Sequence, residues 1–155
     1  MSAELAGDDL LIVRTIDAPV SLVFAMWSQA QHMRHWMGPP GYDCPELTLD
    51  FRVGGAYRGR IRSGAASDDR FGGVYREIEP DRRLVFTFAW DAGPSAGVET
   101  LITLTFEARG GKTVQTFHQT PFLSPARRDA HGRGWTGAFD KQQAYAEALS
   151  KEHRS

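Results

Sequence analysis

The stretch HGRGWTGAFDKQQAYAEAL, residues 131–149, carries the pattern on which the reading of the whole chain turns. Laid out at about 100° per residue, it puts Trp135, Ala138, Phe139, Tyr145, Ala146 and Leu149 on one face, which predicts a long amphipathic helix closing the chain. Gln142 falls in the middle of that apolar face. An amide buried without partners costs about 1–3 kcal/mol, so whatever packs on this helix must bond it.

The chain before this helix has a period of two. LVFTFAW (84–90) and VETLITLTFEA (98–108) read as half-buried strands, as does TVQTFHQ (113–119). A three-residue loop at Arg109 to Gly111 would pair Phe106 with Val114, Leu104 with Thr116 and Ile102 with His118 on one inner face. On that register Thr116 and His118 are polar residues on an apolar wall facing the helix.

Further back, Leu47, Leu49, Phe51 and Val53 alternate with polar residues, and beyond Gly54-Gly55 so do Tyr57, Gly59 and Ile61. A three-residue loop from Val53 to Gly55, with Gly55 left-handed, pairs Phe51 with Tyr57 and Leu47 with Ile61. It also sets Asp50 opposite Arg58 and Glu46 opposite Arg62, so the arginine run reads as a charge-paired solvated face rather than an anion site. FGGVYREI (71–78) is a further strand. Arg76 is kept out of any site, since a bulge at Gly72-Gly73 would reset its side.

The N-terminal part supplies one strand and two helices. LLIVRTI (10–16) is a β-branched run ended by Asp-Ala-Pro, and after Pro19 the residues Val20, Val23, Phe24 and Trp27 recur with helical spacing. Ser28 would cap a second short helix carrying Met33, Trp36 and Met37, ended by Gly-Pro-Pro-Gly at 38–41. The order is β-α-α-β6-α, an α+β fold with an antiparallel sheet and helices on one face. No repeat or linker divides it, so one domain spans 1–155 with its core at about 10–150.

Composition narrows the function. With Lys+Arg 18 against Asp+Glu 19, the net charge of −1 offers no field for a nucleic-acid backbone. The first residues lack the basic and apolar regions of a leader, and no run approaches the about 18 apolar residues of a membrane span, so no membrane insertion and a cytoplasmic location are expected. The single cysteine, Cys44, has no histidine or acid beside it to activate it as a nucleophile. His32 and His35 have a chelating spacing but no third ligand, and read as a solvated helix face. His131 reads as a loop or capping residue before the last helix. No metal and no cofactor is expected.

Three stretches together, GPPGYDCPELTLDFRVGGAYRGRI, FGGVYREIEPDRRLVFTFAW and HGRGWTGAFDKQQAYAEAL, resemble the family related to the C-terminal domain of the activator of heat shock protein 90 ATPase. That family lies in the START-like, or SRPBCC, superfamily, and the resemblance runs from about Leu11 to Leu149. It implies a helix-grip fold: a curved seven-stranded antiparallel sheet wrapped around the long C-terminal helix, with an apolar cavity between them. It implies no fixed catalytic motif, and similar proteins carry leucine at the position of Gln142 and an aliphatic residue at that of Thr116.

The expected function is therefore binding of a hydrophobic or aromatic small molecule in that cavity. Rings at Trp36, Phe51, Tyr57, Phe86, Phe88, Trp90, Trp135 and Phe139, with Leu104, would bury it, and Thr116, His118 and Gln142 would orient it. An aromatase or cyclase using the same cavity, with His118 moving a proton and Gln142 orienting it, is the rival reading; no catalytic residue is assigned. A co-chaperone role ranks last, because no additional segment for contacting a chaperone is apparent. A homodimer stays open.

Overall fold

The computed structural model describes residues 9–64, 67–93 and 96–154. The opening stretch read for a leader, up to residue 8, and the Pro94-Ser95 part of the turn before the sixth strand lie outside the described residues.

The expected element order is present: β1 (Leu10–Ile16), α1 (Val20–Ser28), α2 (Ala30–Met33), β2 (Asp43–Leu49), β3 (Ala56–Ser63), β4 (Ser67–Glu79), β5 (Arg83–Trp90), β6 (Thr100–Arg109), β7 (Lys112–Thr120) and α3 (Pro125–Arg154). The strands form one seven-stranded antiparallel sheet in the order β1-β7-β6-β5-β4-β3-β2. It is a curved open sheet with α3 on its inner face, the helix-grip arrangement. Successive strands from β2 to β7 are neighbours, whereas β1 crosses through the helices to close the far edge against β7.

Helix α1 places Trp27 at the centre of the core. Its ring lies 4.7 Å from Trp36 and 6.0 to 6.2 Å from Phe86, Trp135 and Phe139. Burial of each such ring stabilises the fold by about 1.5–3 kcal/mol relative to exposure. Pro19 sits at the N-cap of α1 with an extended ψ of 153°, and Gln29, not Ser28, occupies the N-cap of α2. Neither residue makes a side-chain capping bond.

The β2–β3 register differs from the expected one by two residues. Leu49 faces Tyr57 and Leu47 faces Gly59, so the loop spans residues 50–55. The hairpin tip docks on the next strand: Gly54 N–H donates to Tyr75 O at 2.8 Å, and Tyr75 N–H to Gly55 O at 2.9 Å. Those bonds hold the loop open. The left-handed glycine is Gly54 (φ 86°) rather than Gly55; Gly55 is needed for close approach, since a Cβ there would lie 2.0 Å from Asp50 O. From Glu46 onward a shift of two keeps the side chains on their faces, with a bulge between Asp43 and Glu46, so the arginine run remains a charge-paired outer surface with different partners. Arg60 bonds Glu46 and Asp68, each at 2.7 Å, Arg62 reaches Asp43, and Arg58 pairs with Asp91.

The β6–β7 register is off by one, and that reverses a strand. Arg109 pairs with Lys112 across a two-residue Gly110-Gly111 turn, both glycines having positive φ (55° and 85°), as a primed hairpin turn requires. Leu104 therefore faces Phe117, Phe106 faces Gln115, and Ile102 faces Gln119. Thr113, Gln115, Phe117 and Gln119 point inward and are buried, while Val114, Thr116 and His118 point to the outer face.

Two boundaries also move. A register shift between Tyr75 and Glu77, not at the glycines, leaves Arg76 exposed. Helix α3 starts at Pro125, six residues before the expected His131. Ser124 initiates it, its hydroxyl accepting from Arg127 N–H at 3.2 Å, with proline in the first helical position where its missing N–H is harmless.

Candidate functional site

A cleft of about 410 Å³ opens between the β3–β4–β5 side of the sheet and the N-terminal half of α3. Ile61, Phe71, Phe88 and Trp90 form its sheet wall, Ala130, His131, Gly134, Trp135 and Ala138 its helix wall, and Met37 to Pro39 with Tyr42 its end. Glycines build this shape. A Cβ at Gly59 would lie 2.4 Å from Phe71, so the absent side chain is what lets the Phe71 ring lie across β3 and stack on Phe88 with centroids 5.4 Å apart. A Cβ at Gly137 would lie 2.3 Å from Pro40, and Lys141 Nζ donates to Pro39 O at 3.2 Å. The Gly-Pro-Pro-Gly loop is thereby held on α3 at the end of the cleft.

The indole of Trp135 is fixed from behind. Its Nε1 donates to Gln119 Oε1 at 2.9 Å, Gln119 Nε2 donates to Thr100 Oγ1 at 2.9 Å, and that hydroxyl donates to Phe88 O at 3.0 Å. Across the cleft Trp90 Nε1 donates to His131 Nε2 at 3.3 Å. The His131 ring lies 5.0 Å from Phe122 and 6.3 Å from Phe88. Burial, reinforced by the nearby charge of Arg127, lowers its pKa below the usual histidine value of 6.5, so it is the neutral form that faces the rings. Asp69 and Arg127 lie along the cleft as its charged residues.

Of the residues expected to contact a ligand, Phe88, Trp90 and Trp135 line this cleft. Trp36, Tyr57, Phe86, Leu104 and Phe139 are packed in the core instead, and Phe51 sits edge-on to Phe24 and Tyr75. Tyr57 Oη donates to Thr87 O at 2.6 Å, and Trp36 Nε1 to Met26 O at 3.3 Å.

Thr116 and His118 are corrections. On the outer sheet face His118 Nε2 lies 2.9 Å from Asp9 Oδ2, and Thr120 Oγ1 donates to Asp9 Oδ1 at 2.7 Å. The hydrogen bond with His118, then that from Thr120, holds the Asp9 carboxyl below its ordinary pKa. This pair is on the wrong side of the sheet to orient anything in the cleft, and Gln142 cannot reach it.

Gln142 is fully buried and bonded, but to a residue the sequence reading put on the other face. Gln142 Nε2 donates to Gln115 Oε1 at 3.0 Å and Gln115 Nε2 donates to Gln142 Oε1 at 3.1 Å. Trp27 Nε1 donates to the same Gln115 oxygen at 3.0 Å. Each inward glutamine of β7 thus anchors a tryptophan, Gln115 holding Trp27 and Gln119 holding Trp135.

His131, expected as a loop or capping residue, lies inside α3 and lines the cleft. It sits one helical turn before Trp135, so extending the 3.6-residue period back by four positions would have found it. Gly137 was a second signal, because a glycine costs a helix interior about 1 kcal/mol and here it admits Pro40, which a Cβ would meet at 2.3 Å.

Elsewhere, His32 Nδ1 meets Tyr145 Oη at 2.8 Å and His35 stacks on Tyr145 at 4.4 Å, so the paired histidines grip α3 rather than face water alone. The Cys44 thiol is buried, which raises its pKa. Among the described residues no cluster of His, Cys, Asp and Glu could hold a metal ion, and no helix is long and apolar enough to cross a membrane.

Residues 17–147 match the family described as Activator of Hsp90 ATPase homolog 1-like protein. No curated protein matches. Among solved structures, a Chromobacterium violaceum protein is 22% identical with a TM-score of 0.81, covering 90% of this chain and 98% of its own. The AHSA1 protein from Silicibacter pomeroyi is 23% identical with a TM-score of 0.80, over 94% of this chain and 99% of its own. An uncharacterized Rhizobium leguminosarum protein is 26% identical with a TM-score of 0.76, over 92% and 95%. These likenesses establish the fold and leave the chemistry to the site.

Proposed function

The chain belongs to the family of Activator of Hsp90 ATPase homolog 1-like proteins, and from that premise we propose that it binds a small, mostly apolar molecule in the cleft beside Trp90 and Trp135. The observation that carries this reading is the cleft itself: about 410 Å³ between the sheet and α3, walled by Phe71, Phe88, Trp90 and Trp135. A volume of that order, apolar and with few polar groups, suits a small ligand. The site lies under the N-terminal half of α3, not under Gln142, where rings and amides fill the space.

The rival cyclase reading used His118 as the proton carrier, and that role does not transfer to the outer face. Binding needs no such residue. The test is a thermal melt in the presence of naphthalene and of a saturated acyl probe. A ligand present at about 100 times its Kd stabilises the folded state by about 2.7 kcal/mol, so a bound probe raises Tm measurably. Gly134→Leu, which puts a side chain beside the cleft, is expected to abolish the shift. The reading fails if no apolar probe moves Tm, or if Gly134→Leu leaves the shift intact.

A further inference from the structure

We infer that the cleft takes an uncharged hydroxyaromatic molecule, of the phenol or naphthol type, whose hydroxyl bridges Trp90 Nε1 and His131 Nε2. This rests on the ligand-binding reading above and specifies the chemistry of that same site.

The inference starts from what each polar atom can do. An indole N–H only donates, so the 3.3 Å contact between Trp90 Nε1 and His131 Nε2 fixes Nε2 as an unprotonated acceptor and places the ring proton on Nδ1. The cleft wall therefore holds, side by side among rings, one donor and one acceptor that bond each other at 3.3 Å until a ligand parts them. A hydroxyl is the small group that matches both, accepting from the indole and donating to the imidazole. Its oxygen needs about 2.8–3.0 Å and a near-linear approach to each nitrogen, so it enters by parting the two nitrogens from the observed 3.3 Å to about 4.5–5 Å, the span of two such bonds. One long hydrogen bond is then replaced by two ordinary ones, a net gain of one.

Other polar groups fit less well. A carboxylate only accepts, so it would face the lone pair of His131; the depressed proton affinity of that ring works against the protonation that could rescue it. An ammonium only donates, and would face the indole N–H. Either charge would also lose its water against a wall of Phe71, Phe88 and Trp135. Arg127 and Asp69 add opposite charges to the lining, so together they favour neither sign. The ring preference follows from the walls: offset and edge-on contacts with aromatic faces reward a planar aromatic partner beyond its buried area.

The experiment is calorimetric titration of the full chain with naphthalene, 2-naphthol and 2-naphthoate at neutral pH. A net hydrogen bond of about 1 kcal/mol corresponds to roughly fivefold in affinity, so 2-naphthol is expected to bind roughly five- to twentyfold more tightly than naphthalene, and 2-naphthoate more weakly than either. His131→Phe keeps a ring against Phe88 and Phe122 but removes the acceptor. It is expected to erase the 2-naphthol advantage, so that in the variant 2-naphthol and naphthalene bind within about twofold of each other. Trp90→Phe removes the donor and is expected to do the same, which keeps the test decisive should one variant fold poorly. The inference is overturned if 2-naphthol has no advantage over naphthalene, if the advantage survives both variants, or if 2-naphthoate binds tightest. Failure of all three probes would instead overturn the ligand-binding reading beneath it.

Discussion

The side-chain amides of Gln115 and Gln142 bond each other reciprocally, at 3.0 and 3.1 Å, in the fully buried space between β7 and α3. The oxygen of Gln115 also accepts the indole proton of Trp27. The amide at the centre of an apolar helix face is thus one half of a closed pair, and its neighbours reveal its role.

Gln142→Leu strands the amide nitrogen of Gln115, a donor with nowhere else to go. Stability is expected to fall by about 1–3 kcal/mol in chemical denaturation, while the affinity of an apolar probe for the cleft stays the same. Pairing it with Gln115→Leu removes both amides but leaves Trp27 Nε1 without its acceptor, so the double variant recovers only part of the loss. Full additivity of the two losses in a double-mutant cycle would contradict the coupling described.

The Gly110-Gly111 turn sets the parity of β7, and both residues have positive φ. Gly111→Val places a β-branched residue at φ 85° and is expected to cost about 1–2 kcal/mol or more. Gly110→Asn suits the same primed turn and is expected to stay within about 0.5 kcal/mol of the parent. Equal melting temperatures for these two variants would remove the turn's role in fixing the register.

The helix glycines predict opposite signs. At Gly134 a Cβ would meet only Pro39, at 3.6 Å, an ordinary contact, so Gly134→Ala gains helix propensity and stabilises by up to about 1 kcal/mol. At Gly137 the Cβ would lie 2.3 Å from Pro40, so Gly137→Ala is expected to destabilise despite the same propensity gain. A denaturation midpoint that rises for both would show that the Gly-Pro-Pro-Gly loop is not pressed on the helix.

Acid should weaken the fold in a window set by histidine. His131 and His32 both have folded pKa values lowered from 6.5, in each case mainly by burial. The unfolded chain then binds more protons than the folded one between the two values. Their neutral forms favour folding fully above about 6.5, and that stability is lost as the pH falls through the folded values. The carboxyls of Asp9, Glu46 and Asp68 have lowered values and hold their contribution until more acid pH. Melting temperature is expected to decline as the pH falls below about 6.5, and less steeply in His131→Phe. A profile of unchanged slope in that variant would argue against a buried neutral imidazole.

Local pattern alone determined the list of elements in this protein. The 3.6-residue spacing of Val20, Val23, Phe24 and Trp27 and the alternation through Phe86, Phe88 and Trp90 are properties of short stretches, which the backbone period converts directly into faces. Composition likewise sufficed to show a chain with no charge bias. Beyond the periods, the three quoted stretches supplied the family resemblance and with it the helix-grip arrangement.

Register and the place of the cleft were decided only by the tertiary structure. Along β7 the two candidate faces, Val114-Thr116-His118 and Gln115-Phe117-Gln119, are nearly balanced in polarity, so alternation could not choose between them, and a turn shorter by one residue reversed the strand. What chose the inner face was the complementarity of Gln115 and Gln119 to two tryptophan indoles and to Gln142, partners that lie far away in sequence. The cleft arose in the same way. Trp90 and His131 are separated by 41 residues, and only the closure of α3 onto the sheet brings their donor and acceptor to one place.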